Sequence, residues 1–284
     1  MRLRSNLPWV LALALAGRAG AAAPDTTPTD APPRALACLA KWYPVEPVKV
    51  DGAWHFTLAG STYPWDDGKM KSFEEKLESP DLEDTFSLPY ATGPIAPVTR
   101  ENEDPGRIRF DPLFHATYGA TRAQVDVVDI HFLGQRLQVH RKVAPAFERV
   151  AKRLTEAVKR EPSLWPYLKS LGGTFVWRKI ANTQRQSAHS YGMSMDLNVA
   201  RSHYWEWAKP KEPVRWANRI PQRIVDAFEA EGFIWGGRWY HYDTMHFEYR
   251  PELLDPTCRE PHAEKPPAVL PPCAKPAPCP EAGE

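Results

Sequence analysis

The sequence predicts an α+β fold, because helical and extended patterns follow one another without a repeated βαβ order. Apolar residues recur at helical spacing over 143–159, "VAPAFERVAKRLTEAVK". A second helix is expected over 221–231, which opens with a proline, carries an apolar face and ends before a glycine. Residues 53–63, "AWHFTLAGSTY", have the pattern of a β-hairpin that turns at Gly60. These three segments, with no internal repeat between them, predict one mixed domain.

Shorter elements complete the predicted fold. Residues 71–79 have the composition of a short helix, and "TFVWRKI" at 174–180 and "FEYR" at 247–250 are candidate strands. The segment 125–140, "VDVVDIHFLGQRLQVH", fits either two strands joined by a glycine turn or a strand that enters a helix. The element order is therefore mixed, and this segment is left with two interpretations.

The first 23 residues have the pattern of a secretory signal peptide. Arg2 and Arg4 precede an apolar run at 7–16, and small residues follow at 19–23. The run is shorter than the about 20 apolar residues that a membrane-spanning helix needs. An uncleaved anchor or a buried helix is the alternative. We expect an exported protein, periplasmic or extracellular, with no stable membrane insertion after the signal is cleaved.

Composition places the chain among soluble globular proteins and argues against a nucleic-acid partner. The 284 residues are 43% hydrophobic and 25% charged, which is ordinary for a globular domain. The net charge of +1 would become −2 without residues 1–23, which hold three arginines and no acid, whereas nucleic-acid binders are usually basic. A Pro-rich lead at 24–41 and a Pro-rich tail at 257–284 are expected to be disordered, because such segments bury too little apolar surface to offset chain entropy.

The four cysteines are typical of a disulfide-bonded exported protein. They allow three pairings among Cys38, Cys258, Cys273 and Cys279. Cys38 and Cys258 bracket the body of the chain, and the ends of a domain often lie close together. We therefore expect one disulfide between these two and another between Cys273 and Cys279. A zinc cluster of cysteines is disfavoured because the spacing lacks repeated short pairs.

Two segments together offer the donors of a catalytic zinc site. "SAHSYGMSMD" at 187–196 contains His189 and Asp196, and "HYDTMHFEYRPE" at 241–252 contains His246. Catalytic zinc keeps three protein ligands of this kind and an open fourth position. Asp243, three residues before His246, can reach the same centre without being a ligand. Taken singly, each of these residues has an ordinary interpretation as a packed, surface or turn residue.

The same segments resemble a known family. Ser187, His189, Gly192 and Asp196 fit the pattern Ser-x-His-x-x-Gly-x-Ala-x-Asp, with Ser194 in place of the alanine, and the second segment fits Asp-x-Met-His-Phe-Glu. Together they resemble the zinc D-alanyl-D-alanine carboxypeptidases of the VanY type and the related L-alanyl-D-glutamate endopeptidases. Since serine and alanine are both small, we expect no loss of metal binding.

The resemblance extends over much of the chain and implies a fold. It covers residues 130–255 well and residues 45–130 more weakly. It implies one domain with a central, mostly antiparallel sheet flanked by helices, as in hedgehog and DD-peptidases, with disordered termini. Residues 42–129 would be the N-terminal part of the body, and residues 130–256 the zinc peptidase core.

The resemblance also implies roles for individual residues. His189, Asp196 and His246 would be the Zn²⁺ ligands and Asp243 the general base. Arg178 would face the scissile carbonyl or a substrate carboxylate, and Arg185 competes for that role. Gly192 would allow a backbone conformation or a close approach that a side chain would block.

The expected function is hydrolysis of peptidoglycan stem peptides by an exported zinc metallopeptidase. It would be either a D-Ala-D-Ala carboxypeptidase or an L-Ala-D-Glu-type endopeptidase. One alternative is a non-catalytic zinc-binding or cell-wall-binding module with the same fold, although the intact Asp243 argues against it. Another is a structural periplasmic domain with incidental histidines. His241 would lie behind a metal ligand or contact substrate, and the aromatic residues around it would line a groove or pack in the core: Trp235, Trp239, Tyr240 and Tyr242.

Overall fold

Seven α-helices and three small antiparallel sheets form the part of the chain that this computed structural model describes, residues 30–208 and 214–259. The helices are α1 (Arg34–Leu39), α2 (Phe73–Glu78), α3 (Asp111–Tyr118), α4 (Ala144–Arg160), α5 (Trp165–Leu168), α6 (Gln222–Glu229) and α7 (Pro251–Leu254). The strands are β1 (Glu46–Val50), β2 (Ala53–Leu58), β3 (Ser61–Pro64), β4 (Val127–Phe132), β5 (Gln135–His140), β6 (Ser194–Asp196), β7 (Phe233–Trp235) and β8 (His246–Tyr249). The predicted α+β class is confirmed, with three small sheets in the place of one central sheet.

The first two sheets are hairpin structures. β1, β2 and β3 form a meander, and β2 and β3 are the hairpin predicted around Gly60, which has a φ of +81°. β4 and β5 pair antiparallel through a turn at Gly134, so the strand–turn–strand interpretation of 125–140 is the correct one. α4 packs on β4 and confirms the long predicted helix.

The third sheet brings the two motif segments together. Its strand order is β6-β8-β7, and central β8 is antiparallel to both neighbours. In this register Asp196 of β6 lies directly opposite His246 of β8. Phe247 projects from β8 on the face opposite to His246. Its ring stacks on Phe228 of α6 at 4.0 Å between centroids and so holds the sheet against this helix. The position of the site is therefore set by core packing.

One predicted strand is wrong. Residues 174–180 form no strand, and the only sheet-like pairing there is an isolated bridge between Lys179 and Gln186. The backbone of this segment is bound by the turn that carries the histidine motif. The Val176 N–H donates to the His189 carbonyl at 3.2 Å, and the Arg178 N–H donates to Ser190 Oγ at 2.8 Å.

The two ends of the described fold are joined by a disulfide. Cys38 in α1 pairs with Cys258, with 5.0 Å between the Cα atoms, and this confirms the predicted pairing. α1 lies inside the segment predicted as a Pro-rich lead, and Leu36 and Leu39 are buried in the core. The folded region therefore begins before residue 42. The predicted signal peptide and the predicted Cys273–Cys279 pair lie outside the described residues.

Within residues 30–208 and 214–259, no helix is both long enough and apolar enough to cross a membrane.

Candidate metal centre

Three side chains from the two motif segments converge at the β6–β8 pair. His189 lies in a 3₁₀ helix, Ala188–Tyr191, Asp196 ends β6, and His246 begins β8. Asp196 Oδ1 is 3.2 Å from His189 Nε2 and 3.1 Å from His246 Nδ1. One oxygen and two ring nitrogens therefore point at a common centre.

The spacing of these donor atoms fits a zinc ion. Ligand atoms placed 2.0–2.1 Å from one ion in a tetrahedral arrangement lie about 3.3 Å apart. The two distances from Asp196 match that value, and all three donor atoms lie within 4.8 Å of one another. Two histidines and one carboxylate are also the mixed N and O set that zinc accepts.

Other groupings of potential ligands in the described residues are already engaged. Cys38 and Cys258, which meet near Asp255, are joined as a disulfide. Asp81 and Asp84 both pair with the ammonium group of Lys71, at 3.1 and 2.7 Å. The histidine–aspartate group is therefore the one whose chemistry points to a metal.

The far nitrogen of each histidine has a fixed partner that sets the tautomer. His189 Nδ1 donates to the carbonyl of Thr174 at 2.7 Å. His246 Nε2 donates to Glu248 Oε2 at 3.3 Å. These bonds leave His189 Nε2 and His246 Nδ1 to face the centre, as in many carboxylate–histidine–metal arrangements.

Glu248 belongs to a buried polar chain along one face of β8. In a strand, every second residue shares a face, so His246, Glu248 and Arg250 project on the same side. Glu248 Oε2 is 3.4 Å from Arg109 Nη1, and Glu248 Oε1 is 3.3 Å from Arg250 Nη1. The two arginines hold the carboxylate that orients the His246 ring. The motif contains Glu248, but the sequence interpretation gave it no role.

We expect the Glu248→Gln variant to bind zinc roughly 10–100-fold more weakly, because loss of a partner behind a ligand has that effect in other sites. The glutamine keeps the shape but weakens the charge-assisted bond to His246. Competition with a chromophoric chelator measures the affinity.

Glu231→Gln is the matched control for this experiment. Glu231 also accepts from two arginines, Arg149 and Arg153 of α4, but it does not line the cleft. The control should bind zinc as tightly as wild type. If Glu248→Gln also binds zinc normally, the carboxylate does not support the ligand.

The charges of the three converging side chains stabilise one another. Burial would raise the pKa of Asp196, but its bonds to His189 and His246 hold that pKa well below its usual range. Burial would lower the pKa of His246, but Asp196 and Glu248 outweigh this effect and raise it to about 10. A metal bound here would take the place of that proton, as in other sites where ligand deprotonation accompanies binding.

Asp243 lies at the same centre with a free carboxyl oxygen. Its backbone is fixed, since the Asp243 N–H donates to the Gly236 carbonyl at 2.9 Å and the His246 N–H donates to the Asp243 carbonyl at 3.2 Å. Oδ1 is buried and has no hydrogen-bond partner among the residues that the structure describes. Burial raises the pKa of Asp243 to about 6, with the charge of Asp196 adding to the effect. A carboxyl group with one buried, unpartnered oxygen beside a metal centre is suited to take up a proton.

A cleft of about 350 Å³ opens onto this centre, and arginines line it. Arg178 and Arg185, the two candidates from the sequence, both contribute, and Arg107 and Arg109 join them. Burial, followed by repulsion from Arg109 and Arg107, lowers the pKa of Arg185 to about 10. The Nε atoms of Arg109 and Arg185 are buried without a hydrogen-bond partner in residues 30–208 and 214–259. Arg109 and Arg185 therefore each keep one unused hydrogen-bond donor at this wall of the cleft.

Arg178 differs from the other three arginines. It is exposed, and its Nη1 reaches only the carbonyl of Lys179 at 3.4 Å. No ion pair with an acid is found for it within the described part of the chain. Arg185 instead donates to the Arg107 carbonyl and lies 3.7 Å from Glu78. Arg178 is thus the cation with the freest guanidinium.

The aromatic residues near the second motif divide between core and cleft. Trp235 and Tyr242 are buried, and Trp235 Nε1 donates to the Thr244 carbonyl at 2.9 Å. Trp239 lines the cleft with its ring 5.7 Å from that of His246. Trp205, which the sequence interpretation missed, lines the cleft from a 3₁₀ helix, Trp205–Ala208. Of the four aromatic residues singled out in the sequence, Trp239 is therefore the one that lines the cleft.

Gly192 and Ser194 show why small residues occur in the first motif. Gly192 has a φ of +62°, and a Cβ there would lie 2.7 Å from the backbone nitrogen of His140. Both the conformation and the close approach expected for this glycine are present. Ser194 is fully buried, and its hydroxyl finds no partner in the described residues, so its pocket suits an alanine methyl group.

Residues 181–249 match the family model described as D-alanyl-D-alanine carboxypeptidase. Over this segment the chain is similar to that family. The match spans the three converging side chains and Asp243. It does not reach Arg178, Arg107 or Arg109.

Proposed function

We propose that this protein is an exported zinc metallopeptidase that hydrolyses peptidoglycan stem peptides. The observation that carries the proposal is the convergence of His189, Asp196 and His246 beside the free carboxyl oxygen of Asp243 in one cleft. The match to D-alanyl-D-alanine carboxypeptidases supports the reaction class. We extend the proposal to a zinc peptidase core at 130–256 and to a hedgehog/DD-peptidase-like fold.

The proposed mechanism assigns proton transfer to Asp243. A zinc ion held by His189, Asp196 and His246 would polarise the scissile carbonyl and lower the pKa of a water molecule. Asp243 would accept a proton from the attacking water and deliver it to the leaving nitrogen. The unpartnered Oδ1 supports this role, because no bond within the described chain competes for it.

Arg178 is proposed to contact the substrate. Its exposed guanidinium can donate to the carbonyl oxygen as negative charge grows there, or to a carboxylate of the peptide. The four arginines that line the cleft can donate to a substrate that carries carboxylates, as peptidoglycan stem peptides do. Either contact would let Arg178 stabilise negative charge without breaking an existing ion pair.

Export is part of the proposal and rests on two features. The Cys38–Cys258 disulfide is typical of oxidising compartments. The pattern of residues 1–23 is that of a signal peptide. A periplasmic or extracellular location would bring the cleft to the cell wall.

A non-catalytic zinc-binding or wall-binding module is the second candidate. Burial of a carboxyl oxygen without a hydrogen-bond partner, as at Asp243 Oδ1, costs free energy. A module that only binds would gain nothing from Asp243 in this environment, so the environment favours an enzyme.

The proposal is tested by digesting purified tetra- and pentapeptide muropeptides with the protein, with and without a zinc chelator. The masses of the products are then measured. Chelator-sensitive loss of one D-Ala would identify a carboxypeptidase, and release of a stem fragment would identify an endopeptidase. No product from zinc-loaded protein would favour the binding module. Protein that takes up no zinc would favour a structural domain.

A further inference from the structure

His241 is held in the cleft by a buried carboxylate that comes from far away in the chain. Asp104 is fully buried. Its Oδ1 accepts from the backbone N–H of His241 at 2.9 Å, and its Oδ2 accepts from His241 Nδ1 at 2.6 Å. Arg107 Nη1 lies 3.3 Å from the same Oδ2 and fixes the carboxylate in turn. The ring of His241 therefore has a defined orientation.

The bond to Asp104 also fixes the tautomer of His241. With its proton on Nδ1, a neutral imidazole presents a lone pair on Nε2. No hydrogen bond to Nε2 is found within residues 30–208 and 214–259. The ring packs against Trp205 at 4.7 Å and Tyr240 at 5.0 Å between centroids. It lines the same cleft as Asp243 and His246.

An acceptor at this position complements the rest of the wall. The four arginines of the cleft can only donate hydrogen bonds. Of the four acids that line the cleft, Asp196 and Glu248 are engaged with the histidines, and Glu206 accepts a hydrogen bond from Tyr204. The fourth, Asp243, is assigned the proton that is transferred from water to the leaving nitrogen. The N–H of a bound peptide still needs an acceptor, because an unpaired polar group in a closed site is costly.

We propose that His241 is a further catalytic residue, whose Nε2 accepts a hydrogen bond from the N–H of the scissile amide. This inference rests on the proposed function. As the water oxygen bonds to the carbonyl carbon, the amide nitrogen becomes pyramidal and gains a lone pair. An N–H held by His241 turns that lone pair toward Asp243, two residues along the chain. The C–N bond then breaks as Asp243 gives the nitrogen the proton taken from water. His241 neither gains nor loses a proton in this step.

The test compares two substrates that differ only at the atom which His241 is proposed to contact. One is the amide peptide, and the other is its ester analogue, in which oxygen replaces the scissile N–H. His241→Ala should lower kcat/KM for the amide roughly tenfold, which is the effect of one lost hydrogen bond. The kcat/KM for the ester should stay unchanged. His241→Gln, whose amide oxygen can accept, should recover part of the loss. Asp104→Asn should lose activity on the amide as His241→Ala does.

His131→Ala is the control, because His131 is exposed on the β4–β5 hairpin and does not line the cleft. Zinc content is measured for every variant. Equal losses on amide and ester, no loss on either, or loss of zinc from His241→Ala would each overturn the inference. If the wild-type protein cleaves neither substrate, the proposed function fails and this inference fails with it. Cleavage with equal losses overturns the inference alone.

Discussion

The Asp243→Asn variant should retain its zinc and lose kcat by roughly 10²–10⁴-fold, the range typical of a lost general acid–base group. Asparagine has the shape of aspartate, and the backbone of Asp243 is fixed through Gly236 and His246. Its Oδ1 is buried, and the substitution removes proton transfer with little change in packing. Steady-state kinetics on muropeptides and metal analysis of the same samples provide the two measurements.

Two further variants sharpen this experiment. Asp243→Glu keeps a carboxyl group and should retain part of the activity. Asp129→Asn removes an exposed carboxylate paired with Arg136 on the β4–β5 hairpin and should hydrolyse like wild type. If Asp243→Asn hydrolyses as fast as wild type, the proton acceptor is another group. If it loses zinc, Asp243 supports the metal centre, and the kinetic result says nothing about proton transfer.

The converging ligands were predictable because the information lies in two short segments. Histidine and carboxylate donors occur at spacings that a turn and a strand place on one face, and the β6–β8 register then brings Asp196 opposite His246. The role of Glu248 had a signal too, since His246, Glu248 and Arg250 alternate with apolar residues.

The other wall of the cleft had no such signal. Asp104, Arg107 and Arg109 lie more than 70 residues before the first motif, in a segment without a strand or α-helix. Their contacts with His241, Glu248 and the cleft depend on how this segment folds back over the sheet. The spacing of these residues along the chain does not predict how the segment folds back.

The incorrect strand at 174–180 has a related cause. Its alternating apolar and β-branched residues are typical of a strand. Its hydrogen bonds are instead met by the His189 carbonyl and by the hydroxyl of Ser190. These partners lie in another segment of the chain, and local propensity does not reveal them.

Arg250→Met should lower the free energy of unfolding by about 3–5 kcal/mol, because it breaks a buried ion network by removing one partner. Arg250 is 1% exposed and lies between two buried carboxylates, Glu248 and Glu252. It also donates to the Gly106 carbonyl at 2.7 Å. Methionine is similar in length, so the lost charge and hydrogen bonds account for most of the cost.

Urea denaturation of Arg250→Met and of a surface control measures this difference. The control is Arg136→Met, which breaks an exposed pair with Asp129 and should cost at most about 1 kcal/mol. Since Glu248 also orients His246, Arg250→Met should weaken zinc binding as well, whereas the control should not. Equal stability losses in the two variants would mean that the buried carboxylates find other partners. The polar chain from His246 to Arg250 would then not couple the metal centre to the stability of the fold.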